Sequence, residues 1–385
     1  MTTRFNDTTK RIDPDSQPLN TGDSGKAFIP ITKFVVGSRN AYENWGWNSL
    51  KYHVQNHTRT LFGQSRHERC LRQIAPLQEF VNVHVKNKKA HYRNLYRCGS
   101  VWLCPCCADT ITNRRRNEVA SVFASLKMNV YMVTFTMRHN RGQSLKLLTD
   151  VMTDSFREMR QRTGFRRQLA YFDLKHFIKS LEVTVGNHGW HPHMHVAYFS
   201  PSLIDPEELQ TEFFYHWKKA LHKHDFDVRM SGFDVTEGDA TLSEYLAKWG
   251  HHKQGVTWQV EDEITRQPIK QGKNSLSPMD LMKAYANPLL DSGDHRLLAA
   301  LLHEYAEGTY RKHHIQFSTG LKKQFELLPN EQIVKQEAQE YPLLARLYPD
   351  DWNAIIRTNS RGKVLEIASE NDAQKLFDFI DTLRR

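Results

Sequence analysis

The chain has 385 residues, of which 39% are apolar, 11% aromatic and 25% charged. This is the composition of a globular chain of two to three domains with a real core. It holds no apolar run of about 18 residues, and the polar stretch Met1 to Lys26 lacks the apolar segment of a secretory signal. Membrane, collagenous and secreted disulfide-rich classes are thereby excluded, and a cytoplasmic protein is expected. The net charge is +10, and its excess is uneven. Residues 61–119 carry 11 Lys/Arg against 4 Asp/Glu, whereas residues 331–385 carry 8 against 10. A basic block of this kind favours nucleic acid as a partner, with a solvated basic face as the plain alternative.

In chain order, residues 1–26 read as disordered, and residues 27–119 as a basic, cysteine-rich region. All five cysteines lie there: Cys70, Cys98, Cys104, Cys106 and Cys107. An odd count, with four of them inside ten residues, suits metal binding better than a disulfide framework. Cys104 and Cys107 form a CxxC pair. With Cys98 and Cys70 they make four thiolates, enough for a structural tetrahedral zinc. Cys106 is an alternative ligand, His67 or His91 could replace Cys70, and buried free thiols are the plain alternative. Arg114, Arg115 and Arg116, with Lys86, Lys88 and Lys89, offer salt-dependent contacts to DNA phosphates. Tyr92, Tyr96 and Trp102 are candidates to stack on unpaired bases or to fill the core.

A helix near 113–127 leads into NVYMVTFTM (129–137), a β-branched and aromatic strand. A helix at 144–161 follows, then two extended runs, 177–185 and 191–199, joined by Gly186-Asn187-His188-Gly189 as a hairpin. Further helices are predicted at 206–222, 241–249, 278–286 and 293–306, with a loop at 260–280 and a strand at 315–318. The last 50 residues alternate helix with short strand (KVLEI, 363–367). This irregular mixture predicts an α+β fold with an antiparallel sheet flanked by helices. The expected domains are 27–119, 120–325 and a small C-terminal α/β module at 326–385.

WHPHMH (190–195) carries the most chemistry. Strand side chains alternate faces, so His191, His193 and His195 share one and Met194 and Val196 point into the core. Imidazoles at i and i+2 can reach one divalent cation. Glu182 is the candidate third ligand on the partner strand. An even-numbered hairpin loop places it opposite His193 or His195, and an odd one places it opposite Met194. A His/His/Glu site suits Mn²⁺ or Mg²⁺. Surface histidines and a solvated strand carboxylate are the alternatives. Thr134, Thr136 and His139 end another predicted strand and could line the same sheet end.

Thr241-Leu242-Ser243-Glu244 matches a capping box. Tyr245 and Lys248 lie one turn apart on the helix it starts. An amphipathic stripe through Leu242, Tyr245, Leu246 and Trp249 equally suits Tyr245 as a core aromatic. Beside a metal that polarises a phosphodiester, Tyr245 can attack phosphorus, while Lys248 assists ionisation and screens the developing charge.

The order TFTMRH (134–139), GWHPHMHV (189–196) and EYLAKWG (244–250) resembles the three motifs of HUH endonucleases, and most closely those of plasmid rolling-circle replication initiator (Rep) proteins. CGSVWLCPCC (98–107) and IQFSTGLKK (315–323) resemble their flanking segments, so the likeness covers roughly residues 65–325. It implies His193 and His195 as the metal pair, His191 as a companion and Tyr245 as the nucleophile. It also implies an HUH-type sheet with the histidine strand central, and nicking of plasmid origin DNA, single-stranded at the nick. The products would be a 5′-phosphotyrosine and a free 3′-OH for a host polymerase and helicase, with later rejoining. The position four residues after Tyr245, a second tyrosine in many such proteins, is Trp249 here. The sequence leaves open two further readings: a transposase of the same chemistry, and a non-enzymatic zinc-stabilised DNA-binding repressor.

Overall fold

The computed structural model describes residues 34, 42, 45–125, 128–238, 275–325 and 341–384, all within one unit spanning 31–385. The expected disordered N-terminus, the tyrosine helix and most of the 260–280 loop lie outside the described residues. The helices labelled here are α1 (Trp47–Thr58), α2 (Pro105–Ser125), α3 (Leu145–Gln161), α4 (Thr163–Tyr171), α5 (Pro206–Leu221), α6 (Pro278–Tyr285), α7 (Ser292–Gly308), α8 (Pro349–Arg357), α9 (Arg361–Ala368) and α10 (Ala373–Arg384). The strands are β1 (Val81–Lys86), β2 (Lys89–Arg93), β3 (Asn129–Phe135), β4 (His176–Gly186), β5 (Gly189–Ser200), β6 (Asp234–Gly238), β7 (Ile315–Phe317) and β8 (Leu343–Leu347). The fold is α+β, with two antiparallel sheets flanked by helices.

The larger sheet runs β6-β3-β5-β4-β7, which puts the histidine strand β5 at its centre. The β4–β5 hairpin turns through Asn187-His188, with Gly186 paired to Gly189. Gly189 sits at φ +93°, in a region that favours glycine. The two-residue loop is even, so Glu182 lies directly opposite His193. One sheet face is sealed by α3, whose buried residues Leu145, Leu148, Met152, Phe156 and Met159 follow the helical period. Ser144 caps α3 by accepting from the Leu147 N–H. Phe135, Phe156, Trp217 and Phe233 pack edge-to-face beneath the sheet. On the other face, Val119, Val122 and Phe123 of α2 cover Met132, Ile178, Ala197 and Phe199. That cover lies at the Phe199 end of β5, away from the His191–His195 end.

The smaller sheet, β2-β1-β8, lies outside the strands the sequence predicts, although Val81, Val83 and Val85 carry a clear period of two. Its third strand comes from the C-terminal stretch. Ala345 and Leu347 share one core with Val81, Val83, the cysteines and Trp352 of α8. The segment KVLEI (363–367) is helical in α9 rather than a strand. Val364, Leu365, Ile367 and Ala368 bury one helical face there, and Gly362 lets α9 meet α1 backbone to backbone. A Cβ at Gly362 would lie 2.4 Å from Ser49 Cα and 2.7 Å from Ser49 N. Since neither backbone atom can swing away, Gly362→Ala is expected to cost about 2 kcal/mol. A urea midpoint lowered at unchanged slope would show it.

Candidate functional site: a histidine–glutamate group and a cysteine cluster

The pairing of β4, β5 and β3 sets a polar ledge on the sheet face that α2 leaves uncovered at one end. Thr134 and Ser180 flank His195, Glu182 faces His193, and Thr184 faces His191. Candidate ligand atoms of Glu182, His193 and His195 all lie within 4.8 Å of one another. Glu182 and His195 are buried, at 7% and 6% exposure, so neither carboxylate nor imidazole is merely a solvated surface group. His195 is held from both sides. Its Nε2 lies 3.2 Å from Glu182 Oε2, and its Nδ1 lies 3.2 Å from the Thr134 hydroxyl. A second partner of this kind fixes ring orientation and tautomer. Two imidazoles and one carboxylate on rigid strands suit a divalent first-row cation or Mg²⁺.

His191 makes a different contact. Its Nδ1 lies 2.5 Å from Nε2 of His139, the last residue of the TFTMRH segment. Burial first, and then His191 and His188, lower the His139 pKa to about 4. Burial also lowers the His191 pKa, against the opposing pull of Glu182. The two rings therefore sit together neutral at pH 7, one N–H donating to the other ring nitrogen. This pair braces the ledge beside the Glu182–His193–His195 group.

The four expected zinc ligands also converge. The sulfurs of Cys70 and Cys104 are 3.8 Å apart, those of Cys70 and Cys107 3.5 Å, and those of Cys98 and Cys107 3.6 Å. Four sulfurs placed tetrahedrally about 2.3 Å from a zinc would sit about 3.8 Å apart. All five cysteines are free thiols, and the spacing is too long for a disulfide. Cys106 stands aside, its Sγ 3.6 Å from the Lys51 carbonyl. Neither His67 nor His91 joins the group. Cys104 immediately precedes α2 and Cys107 lies in its first turn, where exposed N–H groups favour thiolate. Hydrogen bonds from Cys104, Cys70 and Cys98 pull the Cys107 pKa well down.

A polar chain ties this cluster to the C-terminal segment. Arg361, fully buried, donates to Gln55 Oε1 (2.7 Å) and to the Leu71 carbonyl (2.9 Å). Gln55 Nε2 in turn donates to Cys104 Sγ (3.3 Å) and to the Cys70 carbonyl (3.2 Å). The sequence offered no sign of this role for Arg361, because its partner lies 306 residues away.

The remaining predicted residues are dispersed. Lys86, Lys88 and Lys89 cluster at the β1–β2 turn, and Lys88 and Lys89 are exposed there. On α2, Arg116 is buried, Arg114 is half-buried, and Arg115 pairs with Glu118 at 2.6 Å. Tyr92 and Trp102 are core residues, which removes them as stacking platforms. Tyr96 is half-buried, its ring 4.9 Å from the Arg69 guanidinium. Tyr245 and Lys248 lie outside the described residues. Among the described residues, no helix is long and apolar enough to cross a membrane.

With this geometry in place, similarity to known proteins adds a class. The chain is 31% identical over 216 residues to Protein rep of Streptomyces lividans, a match covering 40% of this chain and 46% of that protein. It is 29% identical over 133 residues to a neomycin resistance protein of Streptomyces cyanogenus, covering 26% of this chain and 30% of that one. The matches thus span less than half the length of each relative. No family model and no solved structure matches the chain. The first similarity supports the likeness to Rep proteins that the motifs carry.

Proposed function

We propose that the protein is a plasmid replication initiator that nicks one strand of origin DNA with Tyr245 as nucleophile. The observation that carries this reading is the convergence of Glu182, His193 and His195 from two paired strands. When bound there, Mn²⁺ or Mg²⁺ would supply Lewis-acid charge to a phosphodiester oxygen. Glu182 and Thr134 hold His195 in register, and the neutral His139–His191 pair stiffens the strand end beside it. The Tyr245 oxygen attacks phosphorus, the P–O3′ bond breaks, and the tyrosine proton passes to solvent or a neighbouring base. The products are a 5′-phosphotyrosine and a free 3′-OH that a host polymerase can extend. Attack of a 3′-OH on the same phosphotyrosine rejoins the strand. Zinc in the four-cysteine cluster would hold the basic segment, including the Lys86–Lys89 turn, in shape for DNA backbone contacts.

The test is cleavage of single-stranded fragments tiling the replicon origin, with Mn²⁺, resolved on a denaturing gel. Wild type is expected to form a covalent protein–DNA adduct, and Tyr245→Phe to form none. An adduct that persists in Tyr245→Phe moves the nucleophile elsewhere. The absence of any adduct, with duplex binding intact, supports a DNA-binding repressor instead.

A further inference from the structure

A second cluster of charge lies on the opposite face of the large sheet from the Glu182 group. Strand alternation puts Lys179 of β4 on that face, since Ser180 and Glu182 occupy the other. A cleft of about 440 Å³ opens there between α3, α4 and the edge strand β7. Arg157, Arg160, Arg166 and Lys179 line it over a floor of Phe156 and Phe177.

The cations are held in place rather than tethered loosely. The Arg160 guanidinium lies 4.2 Å from the Phe177 ring centre, and the Lys179 ammonium lies 5.0 Å from that of Phe156. Arg166 Nε donates to the Arg160 carbonyl at 3.4 Å, which brings a third cation to the same rim. Of the acids of α3, Asp150 is engaged by Lys146 and Lys312 and Glu158 by Lys223 and His224, while Asp154 pairs with Arg157 at the rim of the cleft and so leaves Arg160 and Lys179 uncompensated. Among the described residues, neither Arg160 nor Lys179 has a carboxylate partner, and Arg160 Nε is buried without a hydrogen bond. Burial, and then the nearby Arg160 and Lys312, lower the Lys179 pKa to about 8. Gathering cations without a counter-ion is unfavourable unless an anion completes the set. A planar guanidinium fixed on a ring presents its donor edge to a tetrahedral oxyanion in two-point fashion.

We propose that this cleft is a phosphate-binding site, taking a phosphate ester through Arg160 and Lys179. The ester is either a backbone phosphate of a nucleic-acid strand crossing the β7 edge or the phosphate of a free nucleotide. The proposal is independent of the nicking chemistry and stands whether or not Tyr245 is a nucleophile.

The test uses the full-length protein at low salt with two probes, inorganic pyrophosphate by calorimetric titration and labelled dT20 by fluorescence anisotropy. Arg160→Gln with Lys179→Met, which removes the charges and keeps the apolar floor, is expected to weaken binding of at least one probe tenfold or more. Loss for pyrophosphate assigns a free ester, and loss for dT20 alone assigns a polymer backbone. Lys363→Gln with Lys375→Gln, an equal loss of charge on exposed C-terminal helices, is expected to change binding less than twofold. Unchanged binding in the cleft variant, or an equal loss in the control variant, overturns the proposal. If the cleft variant does not fold, labelling of wild type with acetic anhydride decides. Either probe is expected to protect Lys179 at least fivefold while Lys375 labels at its usual rate. Equal labelling of Lys179 with and without both probes overturns the proposal.

Discussion

His195→Ala is expected to lower the rate of single-strand cleavage in Mn²⁺ by about a thousandfold. His195 is held between Glu182 and Thr134 on the central strand of the sheet. Removing its imidazole deletes one of three candidate ligands and leaves Glu182 buried beside the gap. Metal-based charge stabilisation contributes several kcal/mol to such reactions, and a loss of about 4 kcal/mol corresponds to about a thousandfold. A cleavage time course under single-turnover conditions reads this directly. Thr134→Val supplies a graded comparison. It keeps all three ligands but removes the hydroxyl beside Nδ1, and a loss of about tenfold is expected, as for other residues that orient ligands. If both variants cleave at the wild-type rate, the ledge is not the reaction centre.

The second large effect concerns stability. Cys104→Ser is expected to abolish stoichiometric zinc and to lower the thermal midpoint by about 10 °C or more. Four buried sulfurs at 3.5–3.8 Å separations are packed for a cation rather than for each other. Structural zinc contributes about 10–16 kcal/mol of apparent binding energy in small zinc domains, so its loss exceeds what most of the surrounding packing can offset. The cluster is also the node that joins α1, the Cys98–Cys107 loop and α9 through Gln55 and Arg361. Cys106→Ser is the matched comparison. Its sulfur faces a backbone carbonyl outside the cluster, so zinc content is expected to remain at one per chain. Zinc content by mass spectrometry and a thermal scan separate the two variants.

Much of this site was legible because it depends on local spacing. Alternation along WHPHMH fixes the shared face of three histidines, and loop parity decides whether Glu182 joins them. The two-residue turn at Asn187-His188 met that condition. The cysteine group was legible for a chemical reason: four thiols have few other uses so close together. The rest of the fold depends mainly on distant pairing. The β1–β2 hairpin does carry its own valine alternation, but a run of six residues ending in Lys86 is too short a period to stand out from the basic segment around it. The pairing of β8 with β1, the Arg361–Gln55 link and the helical state of KVLEI arise from contacts hundreds of residues apart, which no local period encodes. His191 shows the limit of face assignment. It shares the strand face with His193 and His195, but its contact is with His139, because β3 and its extension run alongside.

The most direct test of the central claim is a Mn²⁺ titration of the zinc-loaded full-length protein, followed by electron paramagnetic resonance. Wild type is expected to bind one Mn²⁺ per chain at the Glu182–His193–His195 group, and His195→Ala is expected to lose that site while keeping its zinc. Equal Mn²⁺ binding by the two proteins would contradict the assignment of this group as the metal centre.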